Sequence, residues 1–425
     1  MEKTTLSNKA VQKIFIYLTL LLVFKLGVAQ NYTADFIKTV SFNTPNNMNP
    51  ILPLGQVLKI GFDDLDGDYK RYKYLIEHFD YNWERSKIQS IEYLNGYDSF
   101  EIQDFSNSIS TYQSYTHYEF ELPNKNTRIK TSGNYLLTIL NEYNQICVQR
   151  RIVFYEPITQ IRGLVIDDNR LTKVNKTQTI KDQNQVVKFN LLHKSIAIQN
   201  PEREIDIIIL KNNDWNFTIQ DLKPMFYKKN ELVYGYLDKM SFEAGNEFLN
   251  FDTKSINQTN INIYKTSIKN GYLNTYLRTN NTRGHIPYTY NPDINGGFVI
   301  RTLNGINEKI ESQYTRVFFT LKADPEIEKQ GDIYIYGSFN NYAFSQENKM
   351  QYNPETELYE VQIMMKQGFY NYNHIIKTKE SHLDLSTIDG SFRETENDYT
   401  VIVYYKATGA RNYRIIGASS LNSKK

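Results

Sequence analysis

The chain has 425 residues, which is enough for two to four domains with hydrophobic cores of their own. Its formal net charge is only +2, so the composition excludes binding modes that need a strongly basic surface, such as non-specific nucleic-acid binding. Tyrosine and phenylalanine are abundant, at 34 and 23 residues. Both favour β-strands, and tyrosine is also common at protein interfaces. The composition therefore predicts a β-rich globular protein.

The first 29 residues have the pattern of a secretory signal peptide. Three early lysines precede an apolar run at 14–24, and the small residues Gly27-Val28-Ala29 follow. We expect cleavage between Ala29 and Gln30, which removes four lysines and one glutamate and changes the formal net charge to −1. No later stretch is apolar over the length of a membrane helix. The sequence thus predicts an exported protein without a membrane span.

The single cysteine, Cys147, bears on the cellular compartment. It cannot form an intramolecular disulfide, and it lies far from Gln30, where a lipid anchor would be attached. Many periplasmic proteins lack disulfides, whereas secreted eukaryotic domains usually contain them. Because Cys147 stands in a strand-like run, we expect it to be a small core residue.

Residues 30–157 are predicted to form the first β domain. Strand-like runs recur at 57–62, 69–83, 115–122, 135–141 and 145–155. About seven strands in a unit of this size suit one β-sandwich. The run that ends at Trp83 resembles the first strands of an immunoglobulin-like sandwich, in which the tryptophan packs between the two sheets.

Four aspartates lie in the segment 63–68, around Gly67. Such a cluster raises the possibility of a calcium loop, but an EF-hand needs ligands at alternating positions and a glutamate at position twelve. Leu65 interrupts that spacing, and no helical pattern flanks the segment. We therefore interpret it as a turn between strands and predict no bound metal.

Residues 158–312 are predicted to form a middle β domain with long loops. Its clearest strand is 204–210, whose continuous apolar run indicates burial on both faces. The segment 253–295 is rich in asparagine, threonine and tyrosine, and we interpret it as long loops. Long loops on a rigid scaffold commonly carry binding residues.

Residues 313–425 are predicted to form a third β-sandwich. Within 331–376, two isoleucines alternate with two tyrosines at 333–336, and a second alternating run covers 359–365. Period-two alternation is typical of half-buried strands. The segment 353–356, Asn-Pro-Glu-Thr, has the composition of a reverse turn.

No catalytic pattern is present in the sequence. It lacks the Gly-x-Ser-x-Gly elbow, the phosphate-binding loop and the His-Glu-x-x-His metal helix. The six histidines are scattered, with no pair at ligand spacing. We predict a protein that is not an enzyme and that has no catalytic residues, no cofactor and no metal.

Motifs along the whole mature chain together resemble the type IX secretion system plug protein family. The residues that carry the resemblance are Phe62-Asp63-Asp64-Leu65-x-Gly67-Asp68, Tyr72-x-Tyr74, His78, Trp83, Tyr93-Leu94-x-Gly96, Ser114-Tyr115-Thr116-His117-Tyr118, Glu243-x-Gly245-Asn246-Glu247-Phe248, Asp293-Ile294-Asn295-Gly296, Tyr336-Gly337-x-Phe339-Asn340 and Glu394-Thr395-Glu396-Asn397. Two positions depart from the family's pattern. Phe79 stands where a small residue or a cysteine is expected, and Tyr342 stands where tryptophan is usual.

The resemblance implies an all-β fold of tandem immunoglobulin-like β-sandwich domains, the third similar to the glycogen-binding (E-set) type. It implies a periplasmic protein that binds the outer-membrane translocon barrel of the secretion system and closes its periplasmic opening when no cargo passes. We expect no nucleic-acid partner and no membrane span, and we expect a monomer when the protein is free.

An alternative function is carbohydrate binding by the third domain, because sandwiches of the glycogen-binding type stack exposed tryptophans on sugar rings. Tyr342 replaces that tryptophan, which argues against sugar binding. For the translocon contact we predict residues of the segment 253–295 and its surroundings, namely Tyr272, Tyr276, Arg283, Tyr288 and Tyr290.

Overall fold

Three packed β-sandwiches make up the fold. The computed structural model describes residues 31–43, 49–168, 171–173, 179–181, 183–258 and 260–424. Strands account for 49% of the structure and helices for 6%, which confirms the predicted all-β class. The predicted leader and its cleavage site between Ala29 and Gln30 lie outside the described residues.

The first sandwich is built from residues 31–156. Its strands are β1 (Tyr32–Thr33), β2 (Ile37–Asn43), β3 (Ile51–Pro53), β4 (Leu58–Asp64), β5 (Lys73–Phe79), β6 (Leu94–Gly96), β7 (Ser99–Glu101), β8 (Asp104–Asn107), β9 (Thr116–Leu122), β10 (Thr127–Ile129), β11 (Gly133–Leu140) and β12 (Ile146–Tyr155), with the one-turn helix α1 (Ser90–Tyr93). Sheet A has the order β1-β12-β11-β5-β7, with β3 on β12, and sheet B has the order β2-β4-β9-β8. Their apolar inner faces enclose one core, which includes the buried Cys147.

The second sandwich begins after Pro157. Its first strands are β13 (Gln160–Asp167), β14 (Leu171–Lys173), β15 (Thr179–Lys181), β16 (Asn184–Leu192), β17 (Ile205–Lys211), β18 (Asp214–Ile219), β19 (Phe226–Lys228), β20 (Glu231–Tyr234) and β21 (Ser241–Glu243), with helix α2 (Pro201–Glu204). Sheet C has the order β13-β16-β20-β19, with β21 also on β16. Strand β17 is the predicted apolar strand, and Ile207, Ile208 and Ile209 are all buried, as its sequence predicts.

The third sandwich follows in the chain. Its strands are β22 (Leu249–Asp252), β23 (Ile263–Lys269), β24 (Tyr272–Leu277), β25 (Asn280–Asn281), β26 (Phe298–Ile300), β27 (Tyr314–Lys322), β28 (Gly331–Tyr336), β29 (Gln351–Asn353), β30 (Leu358–Lys366), β31 (Gly368–Thr378) and β32 (Leu383–Asp384), with helices α3 (Glu308–Glu311) and α4 (Ser386–Asp389) and 3-10 turns at Pro325–Lys329 and Ser338–Asn340. Sheet E has β22 and β26 on either side of β31, which also pairs with β28 and β32; sheet F has the order β23-β24-β27-β30-β29.

The last two strands return to the second sandwich. Strands β33 (Asp398–Tyr405) and β34 (Arg414–Asn422) complete sheet D, whose order is β18-β17-β33-β34. Val401 and Val403 of β33 are buried in the same core as Ile207 of β17. The predicted division of the chain between residues 312 and 313 is therefore wrong: the third sandwich is inserted between β21 and β33, and it also takes β22 to β26 from the predicted middle domain.

The segment 253–295 is also more regular than predicted. It contains the hairpin of β23 and β24, and β24 pairs in parallel with β27 inside sheet F. Leu273 and Leu277 of β24 are buried. Asparagine and threonine stand between these two leucines, so the composition resembles that of a loop, although residues 273, 275 and 277 together form the inner face of a strand.

Removal of β33 and β34 should unfold the second sandwich and leave the first one intact. A chain that ends at Asn397 leaves the edge of β17 unpaired and uncovers part of the apolar core face of sheet C, because half of sheet D is missing. Limited proteolysis should then cut within 158–243 at least about tenfold faster than in the full chain, at a protease dose that spares 31–156. Equal protection of 158–243 in both chains would contradict the observed membership of sheet D.

Candidate functional site

The first and second sandwiches meet through an apolar interface between the outer faces of sheets A and D. Leu136 and Val153 of sheet A pack in one buried cluster with Ile208 and Ile402 of sheet D. Burial of such side chains stabilises an interface by about 25 cal/mol per Å² of apolar area removed from water. Ion pairs between the two sandwiches add to this apolar contact, namely those of Arg414 with Glu156 and of Arg411 with Glu92.

Trp83 lies in this interface and not inside the first sandwich. Its ring is 5.0 Å from that of Trp215 and nearly perpendicular to it. The guanidinium of Arg151 lies 4.5 Å from the Trp83 ring and 5.0 Å from the Trp215 ring, which is cation–π geometry. Phe79 packs beside Trp83, so a large ring there fills the space between sandwiches. The expectation that Trp83 packs between two sheets of one sandwich is wrong.

The first and third sandwiches meet around a buried ion pair. The Nζ of Lys366 lies 2.7 Å from Oδ2 of Asp63, and the side chains are 2% and 0% exposed. The hydroxyl of Tyr314 donates to the same oxygen over 2.6 Å, and His117 Nδ1 lies 2.6 Å from Asp63 Oδ1. The Lys366 ammonium also lies 4.2 Å from the ring centre of Tyr115. Each charge therefore has several partners that replace its water.

This environment determines the protonation state of Asp63. Burial alone would raise the pKa of the carboxyl, but the Lys366 ammonium and the His117 ring hold the pKa below its usual value. The predicted turn is present but begins after Asp64: Asp63 and Asp64 end strand β4, residues 65–66 form the turn, and Gly67 follows at φ +73°. The sequence interpretation missed that the first aspartate of this segment, Asp63, faces another sandwich. Lys366 was missed as well, although a lysine directly after the alternating apolar run 359–365 is an unusual neighbour for buried strands.

The second and third sandwiches meet around Asp214, which is also buried. Tyr336 donates its hydroxyl proton to Asp214 over 2.5 Å, and Asn216 donates to the Tyr336 oxygen over 2.8 Å. Burial raises the pKa of Asp214 to about 7, because desolvation outweighs these hydrogen bonds. Lys211 lies close by and donates to the carbonyl oxygens of Glu243 and Ala244 at 2.7 and 2.6 Å.

A central cavity lies where the three sandwiches converge. Its volume is about 710 Å³, in the range of ligand sites. All three sandwiches contribute lining residues, among them Ser41 and Arg150 from the first, Asn213 from the second, and Asn295 and Tyr342 from the third. Residues from positions 31 to 420 meet here, so no local sequence pattern could have indicated the cavity.

The predicted translocon residues fall into two groups. Tyr272 and Tyr276 lie on the outer face of sheet F, whereas Arg283, Tyr288 and Tyr290 lie near the junction of the second and third sandwiches. Arg283 is bonded within the protein, because its Nε donates to Asp389 over 2.9 Å. Tyr288 donates to Glu247 and Tyr290 to Glu396, although Tyr290 stays half exposed. The five residues therefore do not form one surface.

Two aromatic residues relevant to sugar binding are engaged within the protein. Tyr342 packs on Tyr336 at 5.1 Å between ring centres, and Phe344 packs on Tyr336 at 5.3 Å. Phe217 of the second sandwich belongs to the same cluster. These rings stabilise a contact between sandwiches, so their faces are not free platforms for stacking on sugar rings.

The fold and the three contacts between sandwiches define a class of protein: an all-β body of three sandwiches that contact one another pairwise around a central cavity. Among the described residues no helix has the length and apolar character to cross a membrane, and no group of three His, Cys, Asp or Glu side chains is placed to hold a metal ion.

Residues 37–156 match the family model for the type 9 secretion system plug protein 1st domain. The chain belongs to the type IX secretion system plug protein family.

A solved structure extends this similarity over nearly the whole chain. A hypothetical protein from Parabacteroides merdae ATCC 43184 is 32% identical, with a TM-score of 0.86, over 92% of this chain and 98% of that one. A DUF4466 family protein from the same organism aligns with 46% of this chain and 86% of its own at 7% identity and a TM-score of 0.13, which is too low to indicate a shared fold. No curated protein matches the chain.

Replacement of Lys366 by methionine should destabilise the protein strongly. The change leaves Asp63 buried without its closest cation, and we expect the free energy of unfolding to fall by about 3 kcal/mol in urea titrations followed by circular dichroism. Lys329→Met is the matched control, because Lys329 pairs with Glu326 on the surface. This substitution should lower the free energy of unfolding by less than about 0.5 kcal/mol. Equal effects of the two substitutions would contradict a structural role for the buried pair.

Asp214 should make stability depend on pH. Its pKa of about 7 in the folded protein is raised above the ordinary 3.8, so its contribution to stability is present at low pH and is lost as pH rises through 7. Between pH 5 and pH 8 the free energy of unfolding of the native protein should fall by about 2 kcal/mol more than that of the Asp214→Asn variant. Fluorescence of the neighbouring Trp215 during urea unfolding measures this difference. Parallel pH curves for the two proteins would contradict it.

Proposed function

We propose that the protein is a non-enzymatic periplasmic plug that binds the outer-membrane translocon barrel of the type IX secretion system and closes its periplasmic opening. Membership of the plug family supports a role in this secretion system. The observation that carries the proposal further is the closed set of three interfaces, in which each sandwich contacts both others. Such a body resists deformation, and a seal over a wide pore needs a folded body that keeps its shape.

The outer face of sheet F is the surface that we assign to the translocon contact. Tyr272 and Tyr276 lie there, and the guanidinium of Arg316 stacks 3.9 Å from the Tyr272 ring centre. Tyr276 stacks on Phe318 at 4.5 Å, and the ammonium of Lys265 lies 4.7 Å from its ring centre. We call these five residues the sheet F strip. Aromatic and arginine side chains held rigid in this way are typical of residues that dominate binding energy.

The contact must also be reversible, because cargo passes through the same opening. A reversible interface is moderate in size and has a polar rim. The sheet F strip suits this requirement, since its rings alternate with solvated cations and do not form one continuous apolar patch. Arg283 and Tyr288 are bonded within the chain, so we assign them to the junction of the sandwiches and not to the translocon contact.

The proposal predicts that the translocon barrel co-purifies with the native protein. It also predicts that this co-purification is lost when residues of the sheet F strip are substituted. Tyr272→Ala combined with Tyr276→Ala should lower the yield of barrel at least about tenfold, because both anchors are removed. In a strain that lacks the native gene, the double variant should also fail to keep large antibiotics out. Point substitutions are needed here, because deletion of a segment such as 270–284 would remove the core strand β24.

Tyr143→Ala provides the matched control. Tyr143 is 74% exposed on the first sandwich, so its loss should change neither the yield of barrel nor antibiotic entry. Unchanged yield and exclusion in the double variant would contradict the assigned surface. Failure of the native protein to capture the barrel at all would contradict the plug function itself.

A further inference from the structure

Two strands that end their sheets border the central cavity. β2 is the outermost strand of sheet B, and β26 is an outermost strand of sheet E. Consecutive residues of each strand line the cavity, namely 39–43 and 298–300. Neighbouring side chains in a strand point to opposite faces, so an unbroken run of lining residues means that the backbone edge faces the cavity. Open edges of this kind pair with other strands.

The hydrogen bonds of β26 show which of its backbone groups are directed away from its partner strand. The Gly297 oxygen accepts a 2.9 Å bond from β31, and the Arg301 N–H donates a 3.2 Å bond to the Gln367 oxygen. Residues of an antiparallel strand alternate between bonding to the neighbouring strand and facing away from it. Phe298 and Ile300 therefore direct both N–H and C=O toward the side on which sheet E has no further strand.

A buried acceptor lies at the start of this edge. The side-chain nitrogen of Asn295 donates to Asp398 over 2.9 Å, but its Oδ1 has no hydrogen-bond partner among the described residues. Asn295 lines the cavity. A buried acceptor without a donor costs about 1–3 kcal/mol, so this end of the edge is energetically unsatisfied within the described residues.

The first sandwich supplies a cation whose contacts are neutral. Arg150 is 4% exposed and lines the cavity. Its guanidinium donates to the carbonyl oxygens of Tyr32 and Gln149, each at 2.9 Å, and to the hydroxyl of Thr33 at 2.7 Å. Carboxylates are the strongest partners of guanidinium groups in proteins. This part of the cavity wall therefore favours a ligand with an acidic group.

Backbone conformations around the cavity also point to a functional site. Thr39 and Tyr342 line it at φ 52° and 54°, in the left-handed region that β-branched and bulky residues rarely adopt. Such conformations cost of order 1–3 kcal/mol each and are concentrated at binding sites. One of the two residues lies on β2 and the other follows the turn Ser338–Asn340.

We propose that the central cavity receives an extended peptide segment of the translocon, which pairs as a strand with β26 and directs an acidic side chain to Arg150. The inference rests on the proposed plug function and adds a second point of attachment to it. Backbone pairing explains the open edge, and a carboxylate complements the buried guanidinium. The half-exposed side chains of Lys59 and Lys309 also line the cavity, where both pair with Glu119.

Hydrogen–deuterium exchange of the complete protein, alone and bound to the purified translocon barrel, tests the proposal. Exchange of the amides at 298 and 300 should slow at least about tenfold on binding. The amides of β8, the outermost strand at the other edge of sheet B, serve as the internal reference. If the barrel binds and 298 and 300 are unchanged, the peptide site is overturned while the plug function stands; if no barrel binds, both are overturned.

A photo-reactive amino acid at Ser41 identifies the segment. Benzoylphenylalanine at position 41 should cross-link to a single stretch of the barrel that contains Asp or Glu, and the same probe at Tyr143 should capture nothing. A captured stretch without an acidic residue would overturn the assigned role of Arg150. Capture of a copy of this chain, or no capture from a complex that forms at full yield, would overturn the site.

A pair of variants isolates the backbone contact. Ile300→Pro removes the backbone N–H that faces away from β31 and leaves the bonds to β31 in place. Ile300→Ala loses a similar amount of side-chain packing but keeps this N–H. The affinity for the barrel should fall at least about fivefold further in the proline variant than in the alanine variant. Equal affinities in two folded variants would overturn pairing with β26. If the proline variant does not fold, the exchange measurement on the native protein still decides.

Discussion

The antiparallel pairing of β17 with β33 determines how the three sandwiches are arranged. It joins Ile205 to Tyr405, which are far apart in the chain, and so makes the third sandwich an insertion with two attachments to the second. A domain held at both ends has less freedom to rotate than one held by a single linker. The junctions with the first sandwich can therefore be formed by a few contacts, because the pairing has already restricted the position of the third sandwich.

The three junctions use different physical interactions. The first and second sandwiches meet mainly through apolar side chains, whose attraction is not directional, whereas the third is held by the ion pair at Asp63 and by the hydrogen bonds and packed rings around Asp214. Buried polar groups tolerate little displacement, because each must keep its partners when it leaves water. The polar junctions thus set the orientation of the third sandwich, and that orientation gives the cavity its shape.

Local features of the fold could be predicted from the sequence, whereas the pairing of distant strands could not. The strands β17, β28, β30 and β31 follow from alternation or continuous apolar runs, and the turn after β29 follows from its asparagine and proline. Nothing in the apolar run of β17 specifies β33 as its neighbour, since any buried strand offers the same backbone groups. Trp83 illustrates the same limit: its burial was predictable, but which two layers it packs between was not.

The candidate site was harder to predict than the fold. Of the tyrosines selected from the segment 253–295, Tyr272 and Tyr276 have outward-facing rings, and Tyr288 is bonded within the chain. A tyrosine on a strand and a tyrosine at an interface have the same local sequence, so only the register of the sheet separates them. Arg150 and Asn295 carry the cavity's chemistry, yet each is an ordinary strand or turn residue when only its neighbours are considered.

The insertion also has a consequence for synthesis. Because the chain is made from its amino end, β33 and β34 emerge last, so the first and third sandwiches can fold while the second still lacks half of sheet D. Until those strands arrive, the apolar faces of β17 and sheet C stay uncovered and accessible to chaperones and proteases. A product shortened at its carboxyl end therefore cannot complete the second sandwich, and quality control can remove it.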